Sequence, residues 1–520
     1  MDAVLARELE WLSPKAIVLA GMRRGLEKES LRVQPDGHLA KTPHASAFGS
    51  ALMHPYITTD YSESLLELIT PATGSIAETL GFLDDLHRFI YAHLGDEELW
   101  VNSMPCILGD DDSIPLAQYG SSNIGRMKTL YRRGLGVRYG RRMQTIAGIH
   151  YNLSFPDSFW RAWQEQCGDT QALADFRSEK YFALVRNFQR HSWLLLYMLG
   201  ASPAVCGSFL QGREHGLDSC GHGTLYLPQA TSLRMSSLGY QNSVQSDLKV
   251  SYNGLNEYVR DLSHAIRTPC APFEKIGLKD GSGEYQQIST NILQIENEYY
   301  GLVRPKRTTG RGERPTTALS RRGVEYVELR CVDLNPFNPI GIDDSSAHFL
   351  EVFALHCLLS ESLPFTDAEY AALPINQQQV VERGRDPALR IDVQGESRLF
   401  VEQAERLLAD LQALAPVLDD AHGTTAYTQA IAHEARKLHD PELTYSATIV
   451  RELKENNCSF FEFAQRTGHA HGEHFRARPL LGERAEELAV AATVSHREQA
   501  AIEAADTSSF AEFLADWFRD

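Results

Sequence analysis

Two glutamates lie two residues apart in Gly25-Leu26-Glu27-Lys28-Glu29-Ser30-Leu31-Arg32-Val33. In a strand, residues i and i+2 point to one face, so Glu27 and Glu29 share a face with Leu31 and Val33. Carboxylates that close repel unless a cation or a proton sits between them. Hard oxygen donors on a partly buried face suit Mg²⁺, with Mn²⁺ as the alternative. The segment 59–71 adds Asp60 and Glu67, and Glu67 lies inside the apolar run Leu65-Leu66-Glu67-Leu68-Ile69, where a buried carboxylate needs a partner. His150 stands on the polar side of an otherwise apolar strand pattern, and Glu328 and Arg330 share one face of another. Taken singly, each has a plainer reading: a solvated acidic edge, a hydrogen-bonded histidine, a cross-strand ion pair. Four such strands in one chain point instead to a metal platform.

Charge of the opposite sign is concentrated in two places. Residues 126–142 hold seven Arg/Lys and no acid, a local +7, and residues 304–322 hold seven against Glu313, a local +6. Such islands collect anions, nucleotide phosphates among them, although half of each is expected to be ordinary solvated surface. No G-x-x-x-x-G-K-[ST] loop is present, and Gly134-Leu135-Gly136 lacks the dinucleotide glycine spacing. ATP would therefore be held by metal and by Arg and Lys on a sheet. No G-x-S-x-G elbow marks a serine nucleophile. Cys206, His215, Cys220 and His222 match no zinc spacing, and His469, His471 and His474 read as a polar turn.

These residues require strands to carry them. Gly25–Val33, Gln144–Phe155 and Val324–Val332 all read as strands, the last two by alternation. Ser75-Ile76-Ala77-Glu78 reads as a capping box opening a helix over 76–94, and Tyr181–Leu199 reads as a buried helix stopped by Gly200-Ala201-Ser202-Pro203. The glycines of 207–223 predict a long surface loop, a candidate lid. Residues 395–520 read as mostly helical. Strands and helices mix without regular βαβ alternation, which predicts an α+β fold with a largely antiparallel sheet. The expected division is a catalytic α+β domain over 1–345 and a helical region over 346–520 packed on the same globule.

Bulk properties narrow the partners. With 50 Lys+Arg against 68 Asp+Glu, the net charge of −18 argues against nucleic acid or anionic lipid as partners. At 43% apolar the 520-residue chain is too hydrophobic to be disordered. The first twenty residues lack a basic, then apolar, leader, and the longest apolar run, Trp193–Leu199, is too short to span a bilayer. Eight Cys without a C-x-x-C pair fit reduced thiols, so a cytoplasmic protein is expected, with no membrane partner.

Taken together, several of these blocks resemble the bacterial, proteobacterial-type glutamate–cysteine ligases (γ-glutamylcysteine synthetases). They are Gly25–Val33, residues 57–71, Met143–Asn152, Thr231–Tyr240, Gln294–Tyr300, Arg304–Arg307 and Gly323–Asn338. Glu503-Ala504-Ala505-Asp506-Thr507 extends the match toward the C-terminus. The resemblance implies a glutamine-synthetase-like active-site sheet, a monomer, and ATP-dependent joining of glutamate to cysteine in the first step of glutathione biosynthesis. It implies metal ligands at Glu27, Glu29, Asp60, Glu67, His150 and Glu328, and phosphoryl-stabilising Arg132 and Arg330. Arg234 would grip the glutamate α-carboxylate. Tyr131, Leu135, Gln144, Tyr240 and Tyr300 would form the cysteine pocket, with Ile146 also counted among the substrate-binding residues. Lys306 and Arg307 would lie near nucleotide phosphates. Lys28 and Ser30 stand where Arg and Thr are more usual, on the face opposite the glutamates, and Ser237 stands where Asp is often found. Two rivals keep much of this surface: a ligase using ammonia or another amine as acceptor, and a silent sensor of amino acid or nucleotide.

Overall fold

Eleven residues from Arg23 to Val33 form the longest strand, β1, and the sheet is built outward from it. The computed structural model describes residues 1–105, 107–239, 248–310 and 312–519. Strands β2 (Ile57–Thr59), β3 (Leu65–Ile69), β4 (Glu98–Leu99), β5 (Ile149–Ser154), β9 (Val303–Lys306) and β10 (Tyr326–Val332) join β1 in a seven-stranded sheet. Its order is β2-β3-β1-β5-β10-β9, with β4 on the far end of β1, and every pairing is antiparallel.

Alternation divides the sheet into two faces with different fates. Leu26, Tyr151 and Leu329 align across β1, β5 and β10 and are buried. That back face packs against α2 (Ile76–His93), α5 (Leu173–Met198) and a helix over Asp344–Leu359. The Asp344–Leu359 helix is buried on nearly all sides, as a helix apolar all round must be. Its Glu351 is compensated: the Arg24 guanidinium lies 2.7 Å away, and Tyr151 and Tyr427 each donate to it at 2.7 Å. Such a buried charge persists only when paired. The opposite face carries the acids.

The architecture is the expected α+β one with a largely antiparallel sheet, though some local readings are corrected. The strand predicted over 144–155 begins only at Ile149; Arg142–Thr145 is instead a short 3₁₀ turn. The reason is where the backbone donors go: Ala147 N–H bonds to Ser103 O and Gly148 N–H to the Glu29 side chain, not to main-chain carbonyls of a neighbouring strand. The buried helix begins at Leu173, eight residues before the reading placed it. Ser75 caps α2 by accepting from the Glu78 amide, without the return bond of a full capping box.

The segment 207–223 is not one long loop. It contributes β7 (Asp218–Gly221) to a three-stranded sheet with β6 (Ala204–Cys206) and β8 (Thr224–Tyr226). His222 and Gly223, at φ 50° and 73°, make the two-residue β7–β8 turn, a geometry glycine favours. The three C-terminal histidines lie within the helix Phe460–Arg476, not in a turn, and the neighbours differ: Glu98 for His469, Arg478 for His474. No helix among the described residues is long and apolar enough to cross a membrane.

Candidate active site

The front face of the sheet floors a cavity of about 870 Å³. Register alone sets a gradient of charge across it. Glu67 on β3 faces Glu29 on β1, Glu27 faces His150 on β5, and Glu328 on β10 faces Arg304 on β9. The floor therefore runs from acid at β3 to base at β9. Asp60, on the turn between β2 and β3, completes the acidic end, so all six proposed metal ligands line one cavity.

Hydrogen bonds fix the central groups. His150 Nδ1 lies 2.9 Å from Glu27 Oε2, Asn152 donates to Glu27 Oε1 at 2.9 Å, and Gly148 N–H donates to Glu29 Oε2 at 2.9 Å. Two triads, Glu27–His150–Glu328 and Glu29–Glu67–His150, can each bring three ligand atoms within 4.8 Å of one another. The acids there titrate in opposite directions. Burial pushes Glu29 up to about 8, with the Asp60 charge adding to it and Arg234 and Arg330 offsetting part. Glu67 is pushed well above the ordinary carboxylate range by burial and by Glu27, Asp60 and Glu29. Glu328, equally buried, is held well below that range because Lys306 at 3.1 Å, Arg330 at 2.9 Å and Arg304 outweigh the burial. Burial also lowers His150, with Arg330 adding to it, which favours the neutral ring that a metal ligand requires.

The opposite wall is α3 (Asn123–Tyr139), and it absorbs half of the first basic island. Lys128, Tyr131, Arg132, Leu135, Arg138 and Tyr139 fall on one helical face and line the cavity. Arg126 packs over Phe510 and Arg133 bonds to Tyr285 O, so those two charges serve structure. Ser122 caps α3 by accepting from Gly125 N–H at 3.2 Å. The C-terminal region secures the same end: Glu503 accepts from Ser121 N–H at 2.8 Å, Asp506 accepts from Asn123 N–H, and Phe510 and Leu514 pack on Met127 and Leu130. Arg132 Nε donates to Asp60 O, tying the wall to the floor.

The remaining side chains arrive from loops. Arg142–Thr145 carries Met143 and Gln144 to the cavity. Arg234 is almost fully buried, donating to Arg330 O at 2.9 Å and lying 3.5 Å from Asp333. A β-carbon on Gly148 would overlap its guanidinium, which explains a glycine there. Tyr300 enters from the segment before β9.

Of the sequence-predicted residues, Tyr131, Leu135, Gln144, Arg132, Arg234, Tyr300, Lys306 and Arg330 all reach this cavity. Ile146 is buried and does not line it. Arg307 also lies off the cavity, 3.6 Å from Glu325, because it follows Lys306 by one residue and the strand alternates. Tyr240 lies outside the described residues. The reading missed Arg304, although its i, i+2 relation to Lys306 places both on one face. It also missed the fully buried Arg138–Glu298 pair at 2.9 Å, as well as Lys128, and Gln211 and Arg213 from the glycine-rich segment.

Comparison with known proteins gives one family. The family model described as glutamate-cysteine ligase matches residues 9–380. A glutamate–cysteine ligase of Alcanivorax borkumensis is 54% identical over 97% of this chain and 97% of its own length. One from Azotobacter vinelandii is 49% identical over 99% and 98%. Among solved structures, a glutamate–cysteine ligase from Francisella tularensis in complex with AMP superposes with a TM-score of 0.91 at 34% identity, covering 96% of this chain and 98% of that one. A bifunctional glutathione synthetase from Pasteurella multocida gives 0.73 at 27% identity over 91% of this chain and 55% of that one. The cavity, the antiparallel sheet beneath it and these matches agree: the chain belongs to the glutamate–cysteine ligase family.

Proposed function

We propose that this protein joins the γ-carboxylate of L-glutamate to the amine of L-cysteine at the expense of ATP, forming γ-glutamylcysteine, ADP and phosphate. The observation that carries the reading is the charge gradient on one sheet face, acid at β3 and β1 and base at β9, inside a cavity walled by Arg132 and Lys128. A carboxylate is a poor acyl donor. A γ-carboxylate oxygen therefore attacks the γ-phosphorus of ATP, the bond to the ADP oxygen breaks, and an acyl phosphate forms. The cysteine nitrogen then attacks the acyl carbon, the carbon–oxygen bond to phosphate breaks, and the amine loses its proton.

Phosphoryl transfer is served mainly by positioning and charge compensation. Arg330 supports that role: its Nε is buried and has no hydrogen-bond partner among the described residues, a donor left for an anion. Arg132, Lys306 and Arg304 are among the other cations that line the same cavity. The acidic residues fit a divalent cation, because burial and their neighbours' charges raise Glu29 and Glu67 and three-donor sets are already gathered. Glu27, Glu29, Asp60, Glu67, His150 and Glu328 would hold Mg²⁺, with Mn²⁺ as the substitute. When bound, such ions compensate charge on the ATP phosphates.

Arg234 grips the glutamate α-carboxylate. Tyr131, Leu135, Gln144 and Tyr300 wall the acceptor side, which favours cysteine over ammonia because ammonia has no side chain to hold. Burial raises the Tyr131 and Tyr300 phenols, so both remain neutral donors. One chain supplies every residue named, so the proposed site needs no second copy. Residues 346–520 act as a scaffold, since Glu503 and Asp506 tether α3. Glutamate labelled with ¹⁸O in the γ-carboxylate tests the intermediate. One labelled oxygen should appear in the released phosphate, and unlabelled phosphate would refute the acyl phosphate.

A further inference from the structure

Arg24 and Lys28 share the back face of β1, and both are almost fully buried. Their compensation differs. Arg24 lies against the Glu351 carboxylate. Lys28, only 4% exposed, has no carboxylate in salt-bridge range among the described residues, since Glu27 and Glu29 beside it in sequence point to the front of the sheet. A buried charge without a counter-charge is costly.

The one described partner of the ammonium group supplies no negative charge. Lys28 Nζ lies 2.7 Å from His87 Nε2, and His87 Nδ1 lies 2.7 Å from Leu83 O. A carbonyl only accepts, so Nδ1 carries the ring proton and Nε2 accepts from Lys28. That bond uses one of the three ammonium protons. The lysine stem is packed in place: Gly341, at φ 81°, stands so near that a β-carbon there would lie 2.9 Å from Lys28 Cε.

Lys28 also lines a cavity of about 10 Å³, bounded by α2, the turn 338–341 and the helix Phe460–Arg476. Such a space holds one water-sized particle. No Asp or Glu lines it, and its side chains offer donors. Tyr91 Oη accepts from Leu99 N–H at 3.2 Å, while its own proton has no acceptor among the described residues. Asn338 Oδ1 accepts from Ile340 N–H at 3.0 Å, which leaves the Asn338 Nδ2 protons over. His471, from the histidine motif that the proposed reaction does not use, has no hydrogen-bond partner among the described residues.

We propose that this cavity behind the sheet binds a monovalent anion of chloride size, which neutralises Lys28 and joins β1, α2 and the Phe460–Arg476 helix at one point. The ligand is an anion because the lining presents donors around an uncompensated cation. It is monoatomic because a carboxylate or a phosphate exceeds the space.

The test uses the full chain, melted at constant ionic strength while sodium chloride replaces sodium gluconate, whose anion is too large to enter. The melting temperature should rise by ~2 °C or more and then saturate, and bromide should act as chloride does. Lys28→Met should abolish the dependence. Asn338→Asp is the second variant: one oxygen keeps the bond to Ile340 N–H and the other brings a fixed carboxylate. It should melt higher than wild type in gluconate and ignore chloride. Crystals soaked in sodium bromide give the direct readout, an anomalous peak at hydrogen-bond distance from Lys28 Nζ. A wild-type melting temperature indifferent to chloride, the same response in wild type and both variants, or bromide found at surface positions only would overturn the site and leave water as its occupant. None of these readouts involves turnover, so they stand or fall apart from the ligase reading.

Discussion

Glu29 and Glu67 stand directly opposite each other across the antiparallel β1–β3 pair, one buried and one half-buried acid with no Lys or Arg in salt-bridge range among the described residues. Like charges at facing positions destabilise a sheet. Their retention marks a cost to the fold at a site whose use lies elsewhere.

Glu67→Gln should therefore separate stability from activity. Removing one of the facing acids should stabilise the metal-free protein by about 1 kcal/mol at alkaline pH where both ionise, read as a higher urea midpoint. Turnover should fall on the order of 100-fold or more through lost metal affinity. A variant that is both active and no more stable contradicts the metal role.

Mg²⁺ should raise the melting temperature more at pH 8.5 than at pH 6.5. Glu29 is raised by burial to about 8, above the ordinary carboxylate value of 4.5. Its stabilising contribution is thus complete below 4.5 and is lost as pH rises through about 8. At pH 6.5 a cation must displace its proton; at 8.5 it meets a carboxylate. Lys28, lowered by burial to about 7, slopes stability the other way, but it bonds to His87 on the opposite face of the sheet and does so with or without Mg²⁺ alike. Comparing the two conditions cancels it. An equal thermal shift at both pH values contradicts the account.

Gly148 offers an indirect handle on Arg234. Gly148→Ala should push the guanidinium from its seat below Arg330 O and raise the glutamate KM about 10-fold, with the ATP KM nearly unchanged. Arg234→Ala should raise it further. A change confined to ATP in either variant would show that Arg234 serves the nucleotide.

The acidic half of the site was legible because strands encode facing in alternation. Glu27 and Glu29 share a face whatever the strand pairs with, and Leu65-Leu66-Glu67 exposes a charge that needs explaining. Register was not legible. Nothing local says that Glu67 meets Glu29, or that Glu328 meets Arg304. The Gln144 turn was misread as strand because its residues alternate as a strand would, while its amides are taken by Ser103 and Glu29, far away in the chain. Arg213 was hidden for the reverse reason: its neighbouring glycines read as slack, yet Gly212, at φ 79°, closes the turn in which Arg213 N–H donates to Leu210 O. The tether from Glu503 and Asp506 to α3 spans more than 380 residues, beyond the reach of any local pattern.

The acceptor dependence of ATP cleavage tests the central claim most directly. With ATP, Mg²⁺ and glutamate present, ADP release should be slow until cysteine is added, and γ-glutamylcysteine should then accumulate in equal amount. 2-Aminobutyrate, which keeps the carboxylate and side-chain length, should substitute in part, and ammonia should not. ADP release that ignores cysteine, or that ammonia supports as well, would contradict the account.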